Sequence, residues 1–175
     1  MLTLDLSAIE RGPETWRERI PLEDGPWSDT ELRFEDPPEA RLSAALTGDR
    51  GVHVQGVVEA TVILACRRCL NDVPRDLEVE LDLLYDPAVE KEGEEEQVYR
   101  LEAEADTLDL APAVREQLLL DVPPYPLCRE DCEGLCPRCG IDRNEESCDC
   151  TLTEPDPRWD ALRDLKEEMQ PEDGT

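Results

Sequence analysis

The chain has 175 residues, enough for one domain with a small appendage, and its three Trp, three Tyr and one Phe predict a modest hydrophobic core. Its 45 acidic residues outnumber its 18 basic ones, giving a formal net charge of −27. Such a surface is repelled by nucleic-acid phosphates and attracted to basic proteins. The sequence lacks a signal-peptide pattern and any run of about 20 apolar residues. We therefore expect a cytoplasmic protein, whose reducing surroundings favour metal-bound cysteines over disulfides.

The first half of the sequence predicts an antiparallel β-sheet. Apolar and polar residues alternate along four runs, which is the period of strands with one buried face. The runs are 1–9, 41–46, 52–65 and 77–85. Residues 10–39 hold many prolines and glycines, so we expect loops there with one short strand.

A helix is predicted after an acidic loop. Residues 86–106 form an acidic run, typical of a solvated loop, in which a short strand resumes at Val98. A helical period follows over 110–121, where three apolar residues share one stripe and Asp109 can cap the first turn. The three residues are Leu110, Val114 and Leu118.

A second helix is predicted towards the end of the chain. Asp156 is suited to the N-cap and Pro157 to the first helical position. We expect the apolar stripe of this helix to dock onto the sheet or onto the cysteine segment. The stripe consists of Trp159, Leu162, Leu165 and Met169.

Eight cysteines carry the strongest functional signal in the chain. Cys66 and Cys69 form a C-x2-C pair between two predicted strands, at a hairpin tip. The other six lie within 23 residues and are Cys128, Cys132, Cys136, Cys139, Cys148 and Cys150. Thiolates spaced in this way close tetrahedral sites with Zn–S distances of about 2.3 Å. Since eight thiolates make two four-sulfur sites, we expect two structural zinc ions.

The spacing divides the cysteines between two sites. Gly140 can close a tight turn after Cys139, and this C-x2-C turn pairs naturally with the two cysteines that follow it. Site one is then Cys66, Cys69, Cys128 and Cys132, and site two is Cys136, Cys139, Cys148 and Cys150. Cys132 and Cys136 could exchange roles. Four sulfurs leave no position for water, which indicates structural rather than catalytic zinc.

Redox and enzymatic functions are the alternatives to structural zinc. A thioredoxin-like redox pair needs a strand-to-helix junction, although Arg67 and Arg68, which lie between the two cysteines, could lower the pKa of a thiol. A zinc–thiolate redox switch stays open, because oxidation can release the metal. A zinc hydrolase needs an open coordination position and usually histidine. The single histidine, His53, falls in mid-strand and is expected on the surface, so we expect no enzyme.

The order of the motifs resembles a known bacterial family. C-x-R-C-L precedes D-L-x-P-x-V-R-E-x-L-L-L-x-V-P, followed by P-L-C-x-x-D-C-x-G-L-C-P-x-C-G-x-x-x-N and D-P-R-W-x-x-L. Over roughly 41–166 this order is similar to the large ribosomal RNA subunit accumulation protein family typified by YceD. The resemblance implies a cytoplasmic factor needed for the synthesis, processing or stability of 23S rRNA.

The charge of the chain indicates how such a factor would act. Residues 128–150 hold three arginines against seven acidic residues, which is a poor footprint for RNA. We therefore expect an indirect action on rRNA, through a basic ribosomal protein or a processing factor of the large subunit. Direct rRNA binding by a zinc ribbon is the alternative.

Together these features predict an α+β fold. We expect an antiparallel β-meander or partly closed sheet, with one or two packed helices and a C-terminal cysteine-rich zinc-binding segment. The expected division is a β-rich domain over 1–125, the cysteine-rich segment over 126–152, and a helix with a frayed tail over 153–175.

Overall fold

The structure of the protein, a computed structural model, describes residues 2–23, 26–27, 30–48, 50–89, 97–102, 104–150 and 157–168. It is an α+β fold in which strands outnumber helices, as the sequence predicts. Its main sheet is open, so the prediction of a partly closed sheet is wrong. The division into 1–125, 126–152 and 153–175 stays a prediction.

The described residues form eight strands and three α-helices. The strands are β1 (Thr3–Asp5), β2 (Glu14–Arg19), β3 (Arg33–Phe34), β4 (Glu39–Thr47), β5 (Gly51–Ala65), β6 (Asp72–Asp86), β7 (Val98–Arg100) and β8 (Thr107–Asp109). The helices are α1 (Leu6–Ile9), α2 (Ala111–Asp121) and α3 (Asp160–Glu168), the last preceded by a 3₁₀ turn over Pro157–Trp159.

The main sheet has the strand order β2-β4-β5-β6-β7, with β3 paired to β5. β4, β5 and β6 form an antiparallel meander, as predicted. β7, in contrast, runs parallel to β6. The expectation of a wholly antiparallel sheet is therefore wrong at this edge, because the chain returns to β6 through a long connection instead of a tight turn.

The long hairpin of β5 and β6 positions the first cysteine pair. The two strands pair antiparallel from Val52 opposite Tyr85 to Ala65 opposite Asp72. Pairing continues through Pro74, so β6 is longer than the predicted run 77–85. The turn that joins the strands begins immediately after Ala65 and carries Cys66 and Cys69.

The hydrophobic core lies between the main sheet and α2. Alternate residues of β5 and β6 are buried in it, among them Val54, Val58 and Leu83. α2 begins one residue later than predicted, and Leu110, not Asp109, occupies its N-cap position without a side-chain cap. The carboxylate of Asp109 still accepts a hydrogen bond from the backbone N–H of Ala111 at 3.0 Å. The predicted apolar stripe of α2 is confirmed, since its three residues are fully buried. They are Leu110, Val114 and Leu118.

The N-terminal segment departs from the sequence prediction. The run 1–9 was expected as one strand, but β1 ends at Asp5, whose side chain accepts a hydrogen bond from the N–H of Ser7 at 2.9 Å and starts α1. This local cap outweighs the alternating pattern. β1 pairs with β8, which brings the N-terminal segment against the start of α2. Residues 10–39 hold two strands, β2 and β3, where one was expected.

The apolar stripe of α3 is exposed. Trp159, Leu162 and Leu165 expose 59%, 54% and 49% of their surface, so the expected docking is wrong for these residues. The expected N-cap Asp156 and the last stripe residue, Met169, lie outside the described residues, as does much of the acidic loop. Within the described part of the chain, no helix combines the length and apolarity needed to cross a membrane.

Candidate metal centres

The structure gathers the eight cysteines into two groups of four. Site one is Cys66, Cys69, Cys128 and Cys132, and site two is Cys136, Cys139, Cys148 and Cys150. Within each group all four sulfur atoms lie within 4.8 Å of one another. These are the two groups that the spacing predicts, and the alternative exchange of Cys132 and Cys136 does not occur. That the cysteines ligate metal stays a prediction.

The sulfur separations in site one fit a tetrahedral metal ion. The Sγ atoms of Cys66 and Cys132 are 3.9 Å apart, and those of Cys69 and Cys128 are 3.7 Å apart. Four sulfurs at about 2.3 Å from a central zinc ion stand about 3.8 Å from one another. A disulfide would need about 2.05 Å. The geometry therefore suits a four-sulfur zinc ion.

A tight turn presents the first two sulfurs of site one. The backbone N–H of Leu70 donates to the carbonyl of Cys66 at 3.0 Å, and the N–H of Cys66 donates to the carbonyl of Asn71 at 2.8 Å. Cys66 and Cys69 are both buried, and Val73 packs against them. The turn at residues 66–70 is called the first knuckle below.

Segment 126–135 crosses over the first knuckle and brings the other two sulfurs. The N–H of Arg67 donates to the carbonyl of Pro126 at 2.9 Å, and the N–H of Leu135 donates to the carbonyl of Arg68 at 2.9 Å. Both ends of the segment are thus hydrogen-bonded to the same turn. Site one therefore joins the tip of the β5–β6 hairpin to a part of the chain about 60 residues away.

Two arginines hold this segment in place by its carbonyl groups. The guanidinium of Arg68 donates to the carbonyls of Glu130 at 3.1 Å and Cys132 at 2.7 Å. Arg75 donates to the carbonyl of Leu127 at 2.5 Å. Sequence reasoning missed these contacts, because they join residues more than 50 positions apart and no local pattern indicates them.

Site two is built on a second knuckle of the same form. The N–H of Gly140 donates to the carbonyl of Cys136 at 2.8 Å, and Gly140 has a φ of +78°, as the sequence predicts for this glycine. The N–H of Cys136 donates to the carbonyl of Ile141 at 2.8 Å. Cys136 is buried and Cys139 is exposed. Cys148 and Cys150 complete the group from the following loop.

Asn144 connects the loop after the second knuckle to site one. Its Nδ2 atom lies 3.4 Å from the sulfur of Cys132, to which it donates. Its Oδ1 atom accepts hydrogen bonds of 2.8 Å from the backbone N–H of Glu133 and from the guanidinium of Arg129. Hydrogen bonds of this kind orient metal ligands. In the sequence, Asn144 is only the last residue of the cysteine motif, and the pattern does not indicate that it contacts Cys132.

The protonation of the sulfurs differs within each group. Backbone N–H groups, chiefly that of Cys69, lower the pKa of Cys66 to about 6. The backbone N–H of Cys139 is the main cause that lowers the pKa of Cys136 to about 6. Desolvation and the neighbouring thiols raise the pKa of Cys128 to about 12. In site one, the sulfur of Cys66 can thus ionise without a cation. All four sulfurs of the site can ionise together only when a positive charge lies between them.

Comparison with protein families connects this arrangement to known proteins. Residues 54–166, which contain both cysteine groups, match the family described as large ribosomal RNA subunit accumulation protein YceD. The chain belongs to the YceD family. The resemblance noted from the motifs is therefore confirmed. His53 lies just outside the matched residues; it belongs to neither cysteine group and contacts Asp82 across the β5–β6 pair.

Relatives of this YceD family member come from bacteria and from a plant. An uncharacterized protein of Mycobacterium tuberculosis is 34% identical over 151 residues, covering 85% of this chain and 66% of that protein. The large ribosomal RNA subunit accumulation protein YCED homolog 1, chloroplastic, of Arabidopsis thaliana is 25% identical over 70% of this chain and 47% of its own length. The Bacillus subtilis protein YlbN is 31% identical over 62% of each. The chain spans just under two thirds of the mycobacterial relative, and no solved structure matches it.

Proposed function

We propose that the protein is a non-enzymatic, cytoplasmic ribosome biogenesis factor that supports the synthesis, processing or stability of 23S rRNA during assembly of the large subunit. Membership of the YceD family carries this proposal. The Arabidopsis relative adds support, since it is named a large ribosomal RNA subunit accumulation protein. Both cysteine groups lie within the residues that match the family.

Two structural zinc ions are part of the proposal. In site one the zinc ion would bind the four sulfurs and supply the positive charge that lets them all ionise. The cysteines would then fix segment 126–135 to the hairpin tip, where backbone bonds from Arg67 and Leu135 already orient it. In site two the ion would close a loop of only 15 residues, from Cys136 to Cys150. Site one therefore secures the fold more than site two.

A structural role is favoured over redox sensing by where the reactive thiolates lie. Redox-sensing cysteines combine a low pKa with exposure to solvent. Here the pKa values of Cys66 and Cys136 are lowered to about 6, but these residues are only 0% and 2% exposed. Cys128 is exposed, but its pKa is raised to about 12. For these three cysteines of the metal-free protein, thiolate character and solvent access thus fall on different sulfurs.

The proposed partner is a basic ribosomal protein or a processing factor of the large subunit. The net charge of −27 opposes direct contact with RNA, which depends on clustered lysine and arginine. Arg68 in the first knuckle and Arg75 in the adjoining strand β6 are already bound to carbonyls. A basic protein surface complements the charge of the chain.

Deletion and complementation test the proposed function. We expect deletion of the gene to lower mature 23S rRNA relative to 16S rRNA and to accumulate large-subunit precursors. Complementation with Cys66→Ser should fail nearly as completely as the deletion, because site one loses a buried ligand. Cys148→Ser should restore more 23S rRNA, because it opens only a local loop. The ratio and the rRNA ends are measured by capillary electrophoresis and primer extension.

The wild-type gene and the substitution Glu14→Gln, at an exposed position of β2, serve as controls, and both should restore the ratio. Protein levels are compared by immunoblot, so that lost function is separated from degradation. A deletion strain with a normal 23S to 16S ratio and normal rRNA ends under several growth conditions contradicts the proposed function.

A further inference from the structure

Leu70, at the end of the first knuckle, combines two unfavourable features. Its φ is +63°, a left-handed conformation that leucine rarely adopts because its Cβ approaches the backbone. Its side chain is also 64% exposed, so burial in this chain does little to offset the strain. Strained residues of this kind occur where a function requires the side chain.

The second knuckle shows that the turn itself does not need a leucine. Gly140 occupies the equivalent position, with a φ of +78° and the same hydrogen bond to the first cysteine of its pair. Those bonds measure 3.0 Å from Leu70 to Cys66 and 2.8 Å from Gly140 to Cys136. Glycine adopts this conformation without strain. The first knuckle thus has an exposed leucine at the position where the second knuckle has glycine.

Two further exposed groups lie at the same turn. The guanidinium of Arg67 stands 4.9 Å from the ring centroid of Tyr125, and Tyr125 is 72% exposed. Arg67 also donates to the carbonyl of Pro124 at 3.3 Å, which fixes this stacked pair. Tyrosine and arginine, together with tryptophan, are enriched among the residues that dominate binding energy at protein interfaces. We call Leu70, Arg67 and Tyr125 the knuckle-tip surface.

The other side of the first knuckle is covered by segment 126–135. Leu135 donates to the carbonyl of Arg68, and Gly134 lies so close that a Cβ on it would stand 2.7 Å from the same oxygen. Ordering the turn therefore costs little on binding, because its backbone is already held.

We propose that the knuckle-tip surface binds a basic protein, with Leu70 entering an apolar pocket on that partner. The inference rests on the proposed function, since the partner is the one proposed there. Tyr125 and Arg67 are groups that RNA-binding surfaces also use, but the aliphatic side chain of Leu70 offers a nucleobase neither hydrogen bonds nor an aromatic face, so a protein fits the whole surface better than RNA. The net charge of the whole chain, −27, favours a basic protein as the partner.

The substitution Leu70→Gly tests this inference with opposite effects on stability and binding. It removes the strain, so the thermal midpoint of the purified protein should stay level or rise. It also removes the apolar side chain, so affinity for the partner should fall at least about tenfold. Leu70→Asn is the second variant, because asparagine tolerates the conformation and is polar. Leu46→Ala is the control, since Leu46 is 49% exposed and lies near the opposite end of the β5–β6 hairpin.

The probes are individually purified basic proteins of the large ribosomal subunit and a 20-nucleotide single-stranded RNA, each titrated against the full chain. Binding of a basic protein that weakens with both Leu70 variants, but not with Leu46→Ala, supports the inference. A basic protein that binds all variants equally overturns the inference and leaves the proposed partner standing. Binding to RNA alone, or to none of the probes, overturns both the inference and the proposed partner class.

Discussion

At the residue scale, each cysteine group contains sulfurs that hold their protons and one that does not. Neighbouring thiols, chiefly Cys139, raise the pKa of Cys150 to about 12. The backbone N–H of Cys150 lowers the pKa of Cys148, but the thiol of Cys136 and burial outweigh it, and the pKa is raised. Cys69 in site one shows the same balance between a backbone N–H and its neighbours. A divalent cation must therefore displace protons to bind four sulfurs.

Binding of zinc to the reduced, metal-free chain should release protons. At pH 7 we expect at least two per site, from Cys69 and Cys128 in site one and from Cys148 and Cys150 in site two, since these four have raised pKa values. Zinc affinity should rise with pH, because protons compete with the metal for these sulfurs. Isothermal titration calorimetry in buffers of different ionisation enthalpy counts the protons. Zinc uptake without proton release would show that the sulfurs are not the ligands.

At the element scale, the fold could be predicted from sequence where one face of a strand is buried. The alternation in 52–65 and 77–85 predicts β5 and β6, because the core requires an apolar residue at every second position. The start of β6 was missed, since pairing with β5 carries the strand through Pro74, which local preference disfavours. The exposure of Leu162 in α3 was also missed. Amphipathic spacing predicts a stripe but does not specify its neighbour.

The cysteine groups were predictable from spacing, but their supports were not. A C-x2-C pair needs a turn with a fixed form, so Cys136 and Cys139 reveal a knuckle from sequence alone. Asn144 and Arg68 act on atoms far along the chain, and only the folded backbone brings them together. Leu70 was missed for the opposite reason, because a leucine in a left-handed turn contradicts local preference.

Gly134 and Gly140 form a matched pair for testing how segment 126–135 packs. Both have positive φ, +74° and +78°, so alanine at either should cost about 1 kcal/mol in conformation. Only Gly134 lacks space, since a Cβ would lie 2.7 Å from the carbonyl oxygen of Arg68, whereas Gly140 has nothing within 4 Å. Gly134→Ala should therefore lower the free energy of unfolding by about a further 1–3 kcal/mol. Urea unfolding and zinc release to a chelator compare the two variants.

Faster zinc release from Gly134→Ala than from Gly140→Ala would connect the packing of this segment to site one. Equal losses of stability in the two variants would mean that the close approach of Gly134 to the first knuckle contributes nothing beyond its φ.

At the scale of the whole molecule, acidic side chains are concentrated on exposed faces. Glu78, Glu80 and Asp82 alternate with buried residues along β6 and are exposed, as the sequence predicts. Glu78 also pairs across the sheet with Glu59, which is itself bound to Arg41. Like charges opposite each other destabilise a sheet slightly. An exposed acidic face of this kind fits the proposed basic partner. Residues 90–96 of the acidic run lie outside the described residues.

Neutralising part of this face should slow association with a basic partner without unfolding the protein. For Glu78→Gln with Glu80→Gln, we expect the on-rate for a basic large-subunit protein to fall several-fold at about 50 mM salt and to match the wild type near 0.5 M, because salt screens steering. The off-rate should stay within about twofold of the wild type, and the free energy of unfolding within about 0.5 kcal/mol, since both side chains are exposed. The control Glu10→Gln with Glu14→Gln removes the same number of charges away from β6. It separates an effect of the β6 face on the on-rate from an effect of the total charge. Stopped-flow or surface plasmon resonance gives the rates.

Tight binding of 23S fragments that Arg67→Ala abolishes would instead assign recognition to RNA. Arg68→Ala is less informative, because Arg68 also holds the carbonyl of Cys132.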